Sequence, residues 1–347
     1  MKAIVYQGNG LIKVEDRDIP KIGAYEALMR VRAAAICGTD LRIISSGHQK
    51  IKQGEKIILS HEMSGDIVDI GSKVKNIKKG MRVSMAPVTG CGLCDHCIVG
   101  NYVLCKDYRS LGVNYDGGLA EYMRIPPEYI FRGNYFILPE NLSYEEAALA
   151  EPLATVINGA SACNLKAGDI VLIVGSGPIG ILHLLFARLC GAQMTIVLEL
   201  MEERRKQALE FGADNVFDPE SKDVNKQIFK LTNGKGADVI IIAASSGKAQ
   251  EESLQLIANN GCINFFGTLP KARETITINS NIIHYKNIKL TGTSGANIYH
   301  YRKAISLLSA KKLDILKLIS GRFKLGDAEE AFRRAKSKKD LKIIFKP

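Results

Sequence analysis

The chain has 347 residues, 46% of them hydrophobic and 24% charged, which suits two globular domains of ordinary size. No apolar run nears the roughly 20 residues of a membrane-spanning helix, and the opening MKAIVYQGNG alternates like a strand rather than a secretory leader. A cytoplasmic protein with no membrane partner is therefore expected. The net charge of +11 is concentrated, with 14 Lys/Arg against 5 Asp/Glu in residues 301–347, interleaved with apolar residues as on the solvated faces of helices. Charge alone gives no reason to expect a nucleic-acid partner.

Up to Glu151 the chain reads mainly as strands: Ala3–Tyr6, Ala27–Ala35, Asp66–Val68, Arg82–Met85 and Glu121–Ile125, separated by turns rich in Gly, Pro, Asn and Asp. Two short motifs follow strand-like runs here, Cys37-Gly-Thr-Asp40 and His61-Glu62. Each is unremarkable alone.

Cys91, Cys94, Cys97 and Cys105 make the most specific pattern in the sequence. Four thiolates at that spacing can close a tetrahedral zinc shell, and a closed shell leaves no position for water or substrate, so such a metal is structural. Disulfides and an iron–sulfur cluster are the alternatives these residue types allow, but a chain without a secretion signal favours metal over disulfides. His96 lies within the lobe and is expected to be solvated. The scattered Cys163, Cys190 and Cys262 read as small buried hydrophobes.

After Leu153 strands alternate with helical stretches: Asp169–Val174, Met194–Leu198, Asp238–Ile242, Cys262–Phe266 and Asn287–Thr291. That alternation predicts an α/β unit with a doubly wound parallel sheet. Gly175-Ser-Gly-Pro-Ile-Gly180 stands between the first of these strands and the helix-like Ile181–Arg188, the context that gives GxGxxG its meaning. Gly175, Gly177 and Gly180, with Pro178 and Ile179 opening the helix, would bring backbone N–H groups and a positive helix end to a pyrophosphate. Glu199 follows the second strand, 24 positions after Gly175, near the offset of an acid that binds the adenine ribose. It favours NAD over NADP, whereas Arg204 and Arg205 just beyond it could pair with a phosphate instead. His183, on an apolar helix, reads as a satisfied packing residue. The last stretch returns to mixed helix and strand, ending in Leu341–Phe345.

Taken together, Cys37-Gly-Thr-Asp40, His61-Glu62 with Ser64-Gly65, the four-cysteine lobe, Asp116-Gly-Gly-Leu-Ala-Glu-Tyr122, Glu151-Pro152 and the GxGxxG unit resemble the medium-chain zinc alcohol dehydrogenase superfamily, most closely its polyol (sorbitol) and threonine dehydrogenase branch. The resemblance covers essentially the whole chain. It implies a GroES-like β domain (1–151, with the zinc lobe at 88–106), a Rossmann domain (152–293) and a C-terminal return to the first domain (294–347). It also implies two zinc ions per chain, NAD, and a homodimer or homotetramer.

By the same resemblance a catalytic zinc would be held by Cys37 and His61 with Glu62, Glu151 or both. Three protein donors and one exchangeable position are the pattern of catalytic zinc. The metal would acidify a bound alcohol as it lowers the pKa of bound water to about 7, hydride would pass to the nicotinamide, and Thr39 would carry the proton away. The implied substrate is a secondary alcohol or polyol, sorbitol- or sugar-alcohol-like and open to phosphorylation, with threonine and 2,3-butanediol as alternatives. Ser60 replaces the glycine usual before His-Glu, a change expected to be tolerable. Arg42 stands where many relatives have a proton-relay histidine. Ile43 and residues 295–299 lack the sugar-contacting residues of sorbitol dehydrogenases.

Overall fold

The computed structural model describes every residue except Gln53. The chain divides into two compact units, Met1–Ala154 with Gly295–Pro347, and Thr155–Ser294.

In the first unit the strand-rich sequence folds into two main sheets. Lys2–Gly8 lies between Leu11–Asp16 and Ile57–Ile58, antiparallel to both. The larger sheet runs Tyr135–Ile137, Arg82–Met85, Glu62–Ile70, Ala27–Ala35, Lys342–Phe345, Ile319–Phe323, with Tyr122–Ile125 also pairing to Ala27–Ala35. Alternate residues of Ala27–Ala35 face a core of Ile4, Met29, Met63, Met85, Tyr129 and Phe345, all close to fully buried. The C-terminal strand is integral to this sheet, pairing antiparallel with Ala34–Ala35 and parallel with Ile319–Phe323.

The second unit is a six-stranded, wholly parallel sheet in the order Asn215–Phe217, Met194–Leu198, Ile170–Val174, Ala237–Ile242, Ile257–Phe265, Lys289–Gly292. Numbered along the chain this is 3-2-1-4-5-6, the Rossmann order. All five residues of Ile170–Val174 are buried, as the unbroken apolar run requires of a central parallel strand. The order reverses beside this strand, and Gly175 begins at its carboxyl end. Ligands of open α/β sheets bind at that point.

Strand positions agree with the sequence expectation within a few residues where the hydrophobic run is continuous. Leu11–Asp16 and Asn215–Phe217 lack a fully buried residue, so no apolar period announces them. Ile257–Phe265 starts five residues before the expected Cys262. Its register jumps between Ala237 and Val239, and Asn260 adopts a φ of 59°, so Asn259-Asn-Gly261 is a bulge within a strand rather than the turn it reads as.

No helix is long and apolar enough to cross a membrane, among the described residues. The basic helix Ala328–Ser337 buries Ala331 and Phe332 and pairs Arg333 with Glu330 and Arg334 with Asp340, the solvated-face arrangement expected.

Candidate active site and dinucleotide loop

Cys37 leaves the strand Ala27–Ala35 and caps the helix Gly38–Ser46 from an extended conformation. Its sulfur accepts the Thr39 N–H at 3.5 Å. Asp40, three residues into the helix, completes a capping box by accepting the Cys37 N–H at 2.8 Å. Its other oxygen accepts the Ser60 N–H at 3.0 Å. Burial raises the Asp40 carboxyl above its ordinary value, against the pull of His61 and the two N–H groups. This carboxylate ties the Cys37 turn to the His61 turn.

The His61 turn is held from three sides. Ser60 has φ 72°, a left-handed conformation that costs a side-chain-bearing residue about 1–2 kcal/mol. Its hydroxyl compensates by donating to Ala35 O at 3.0 Å and accepting the Glu62 N–H at 3.3 Å. On the far side the Asp116-Gly-Gly-Leu119 segment lies backbone against backbone. Gly118 N–H and Leu119 N–H donate to Ser60 O and Leu59 O, and Asp116 accepts from Ile58 N–H. A Cβ on Gly117 would stand 1.9 Å from Ser60 O, so only glycine permits this approach.

These two turns bring together the Cys37 sulfur, a ring nitrogen of His61 and a carboxylate oxygen of Glu62, all within 4.8 Å of one another. Burial opposes charge on His61. The Cys37 sulfur, its hydrogen bond and the Glu151 and Asp40 charges outweigh it, raising the imidazole well above its ordinary value. Glu151, in the first turn of helix Ala150–Ala162, falls outside the close triad but belongs to the same electrostatic cluster. Burial pushes its carboxyl to about 7, with His61 opposing and Glu62 reinforcing the rise. A thiol, an imidazole and two carboxyls around one point suit a divalent cation of zinc type, which accepts sulfur, nitrogen and oxygen alike.

Lys342 is the residue that sequence reasoning missed. It sits in the C-terminal strand, 4% exposed, and its ammonium meets both Glu62 oxygens at 2.5 Å and Ile36 O at 3.2 Å. Burial works against its charge, but Glu62 above all, then Cys37 and Glu151, keep it above its ordinary value. The available signal was a lysine inside the otherwise apolar Leu341–Phe345. Asp40 was visible in its motif, but its bridging role was not.

The four lobe cysteines also converge, their sulfurs mutually within 4.8 Å. The Leu93 and Cys94 N–H groups donate to Cys91 Sγ and lower its pKa to about 6, while burial raises Cys97 to about 12. The Cys91 N–H donates to Cys105 Sγ at 3.3 Å. Such N–H to sulfur bonds stabilise thiolates, the form a metal takes. His96 is exposed, as expected.

In the second unit Gly177 caps the helix Pro178–Leu189, with Pro178 first and Ile179 next. A Cβ on Gly180 would lie 1.8 Å from Gly175 O, so helix and strand pack at glycine distance. Glu199 is buried rather than a solvated strand end. It accepts the Ser176 N–H at 2.8 Å and hydroxyl at 3.1 Å through one oxygen, and the Met201 N–H at 3.0 Å through the other. The guanidinium of Arg204 lies 3.5 Å from the place of a Gly177 Cβ, and its Nε is buried without a partner among the described residues. Arg205 instead donates to Glu199 O, Leu200 O and Asp218. His183 does pack, edge-on against Phe266, but its Nε2 has no hydrogen-bond partner and burial lowers its pKa to about 3. The expectation of a fully satisfied histidine is corrected to that extent.

A sheet in Rossmann order with a glycine loop at its reversal point, and a Cys-His-Glu cluster in a β-rich unit, define a nicotinamide-dependent dehydrogenase of zinc-binding type. Comparison with known proteins agrees. Residues 23–140 match the alcohol dehydrogenase GroES-like domain and residues 178–310 the zinc-binding dehydrogenase domain. The chain is 34% identical to an L-threonine 3-dehydrogenase of Pyrococcus furiosus, over 99% of this chain and 97% of that one. It is 33% identical to a sorbitol dehydrogenase of Bacillus subtilis, over 100% and 97%. A solved structure from Sinorhizobium meliloti, described as a zinc-binding dehydrogenase bound to NADP, superposes with a TM-score of 0.89 at 30% identity, covering 100% of this chain and 99% of that one. The chain belongs to the medium-chain zinc alcohol dehydrogenase superfamily, in its polyol and threonine dehydrogenase branch. It is an alcohol or polyol oxidoreductase.

Proposed function

We propose that this enzyme oxidises a secondary hydroxyl of a polyol with NAD as acceptor, using one zinc at Cys37, His61 and Glu62 and a second at Cys91, Cys94, Cys97 and Cys105. The approach of the Cys37, His61 and Glu62 donor atoms to within 4.8 Å of one another is the observation that carries this reading. Glu151 completes the first site as the carboxylate that exchanges with substrate, since Lys342 engages both oxygens of Glu62 while Glu151 stands further out. Zinc bound there supplies the Lewis acidity that makes an alcohol a hydride donor, and the nicotinamide supplies the acceptor.

The chain's own residues do the rest. Thr39, held to the Cys37 sulfur through its N–H, takes the hydroxyl proton at Oγ1. The guanidinium of Arg42 donates to that oxygen at 3.4 Å, so the Thr39 hydrogen points elsewhere. Arginine stays protonated, so a proton leaving Thr39 cannot pass through residue 42 as it could through a histidine. Glu199, fixed by Ser176 and Met201, keeps acceptor capacity for ribose hydroxyls and repels a 2′-phosphate. Gly175, Gly177, Pro178, Ile179 and Gly180 receive the pyrophosphate, with Arg204 beside Gly177 adding positive charge.

Association into a homodimer or homotetramer through the edge strand Lys289–Gly292, which pairs on one side with Ile257–Phe265, completes the reading, as does a cytoplasmic setting. The test is NADH formation with sorbitol, 2,3-butanediol and L-threonine, alongside zinc analysis. Turnover of an alcohol with two zincs per chain, lost in Cys37→Ser, is expected. Wild-type kcat in Cys37→Ser would overturn the catalytic assignment.

A further inference from the structure

Beyond the catalytic cluster, basic side chains gather on one side of Thr39. Helix Gly38–Ser46 places the exposed Arg42 one turn past Thr39, with its guanidinium on the Thr39 hydroxyl oxygen. The helix ends at Gly47, and the chain turns so that the Lys50 N–H donates to His48 Nδ1 at 3.1 Å. That bond fixes the tautomer: Nδ1 accepts, so Nε2 carries the hydrogen and is a donor. The charged side chains that act on His48 are both cations, Arg42 and Lys50, and with burial they hold its pKa below the ordinary value. Lys50 is anchored by Tyr108 O at 2.7 Å and by the Tyr108 ring, 3.1 Å from its centroid. The positive charge beside His48 is thus held in place by the fold.

This geometry points to an anion subsite, and we propose that Arg42 and His48 bind the phosphate of a sugar-alcohol phosphate whose secondary hydroxyl reacts at Thr39. The inference rests on the dehydrogenase reading above and names its substrate class. A guanidinium fork takes two phosphate oxygens at once, and the neutral His48 Nε2–H adds a third donor without further charge. Arg42 and Thr39 are three apart on one helix, which sets their Cβ atoms about 5–6 Å apart. The anion therefore lies a few carbons from the reacting carbinol, the spacing of a pentitol or hexitol phosphate. Threonine fits poorly, because its ammonium adjoins its carboxylate and would meet the same cations.

The test compares kcat/KM for D-sorbitol 6-phosphate and sorbitol in wild type, Arg42→Gln, Arg42→Lys and His48→Gln. Wild type is expected to prefer the phosphate ester by at least about 10-fold. Arg42→Gln should lower that ratio by about 10- to 100-fold, the span of a hydrogen bond to a charged group, and Arg42→Lys should restore part of it. His48→Gln should lower it less. A wild-type preference for sorbitol or threonine, or a ratio that Arg42→Gln leaves unmoved, overturns the subsite while leaving the dehydrogenase intact. A rise in the NADH dissociation constant with an unmoved ratio assigns Arg42 to the cofactor and overturns it too. If no alcohol reduces NAD, the functional reading fails by itself. Calorimetric titration of the zinc-loaded protein with sorbitol 6-phosphate, wild type against Arg42→Gln, then still decides the subsite: tighter binding by wild type supports it, equal binding overturns it.

Discussion

At the scale of single residues, the cluster depends on groups whose charge or backbone would be costly elsewhere. Lys342→Met strands the Glu62 carboxylate, which is 1% exposed, without its counter-ion. Removing one partner of a buried pair costs about 3–5 kcal/mol, so urea unfolding of the zinc-free protein should show a loss of that size. The double variant Lys342→Met with Glu62→Gln should recover part of it, and a loss under about 1 kcal/mol in the single variant would contradict the pairing. Ser60 offers a finer test. Ser60→Ala keeps the left-handed strain and strips the Glu62 N–H of its acceptor, whereas Ser60→Gly loses the same bonds but relieves the strain. Glycine should therefore be the more stable replacement by about 1 kcal/mol in thermal melts. The reverse order would mean that the backbone there is unstrained. The candidate donors Cys37, His61, Glu62 and Glu151 were legible because each lies in a short motif. Lys342 was not, because its partner lies 280 positions away in the chain and only the folded sheet makes them neighbours.

At the scale of elements, hydrophobic period and capping chemistry carried most of the information. Ile170–Val174 and Met194–Leu198 were legible because parallel strands covered on both faces are apolar throughout. The bulged Ile257–Phe265 was not, because Asn-Asn-Gly has the composition of a turn whether or not pairing continues beyond it. The helix Tyr144–Ala148 shows a capping box in full, with Ser143 Oγ accepting the Glu146 N–H and Glu146 accepting the Ser143 N–H. Burial opposes ionisation of Glu146, but Lys311 and the Ser143 bonds outweigh it and hold the carboxyl below its usual range. A depressed folded pKa stabilises the fold above the unfolded value of about 4.3 and loses that stabilisation as pH falls through the folded value. Glu146→Gln should accordingly destabilise most near neutral pH, and its cost in urea titrations should shrink towards about pH 3. A cost independent of pH would assign the effect to packing.

At the scale of the whole molecule, the chain builds most of one unit, forms the Rossmann unit from Thr155 to Ser294, and returns so that Lys342–Phe345 completes the first sheet. The alternation of strands with helices made the second unit legible, while the return of the last strand beside Ala34–Ala35 followed only from the family resemblance. The two donor clusters both belong to the first unit, and the dinucleotide loop with Glu199 belongs to the second. Stepwise metal removal should therefore separate three properties. The cluster at Cys37, His61 and Glu62 offers three close donors and needs an open position, whereas the lobe surrounds its ion with four sulfurs. A chelator should take the first ion sooner, abolishing turnover at one zinc per chain while NADH fluorescence still reports cofactor binding by the Rossmann unit. Loss of the second ion should then lower the melting temperature, because a closed thiolate shell contributes its binding free energy to folding. Cys94→Ser should reproduce only that second effect. If NADH binding disappeared together with the first zinc, the cofactor would depend on that ion and could not be held by the glycine loop and Glu199 alone.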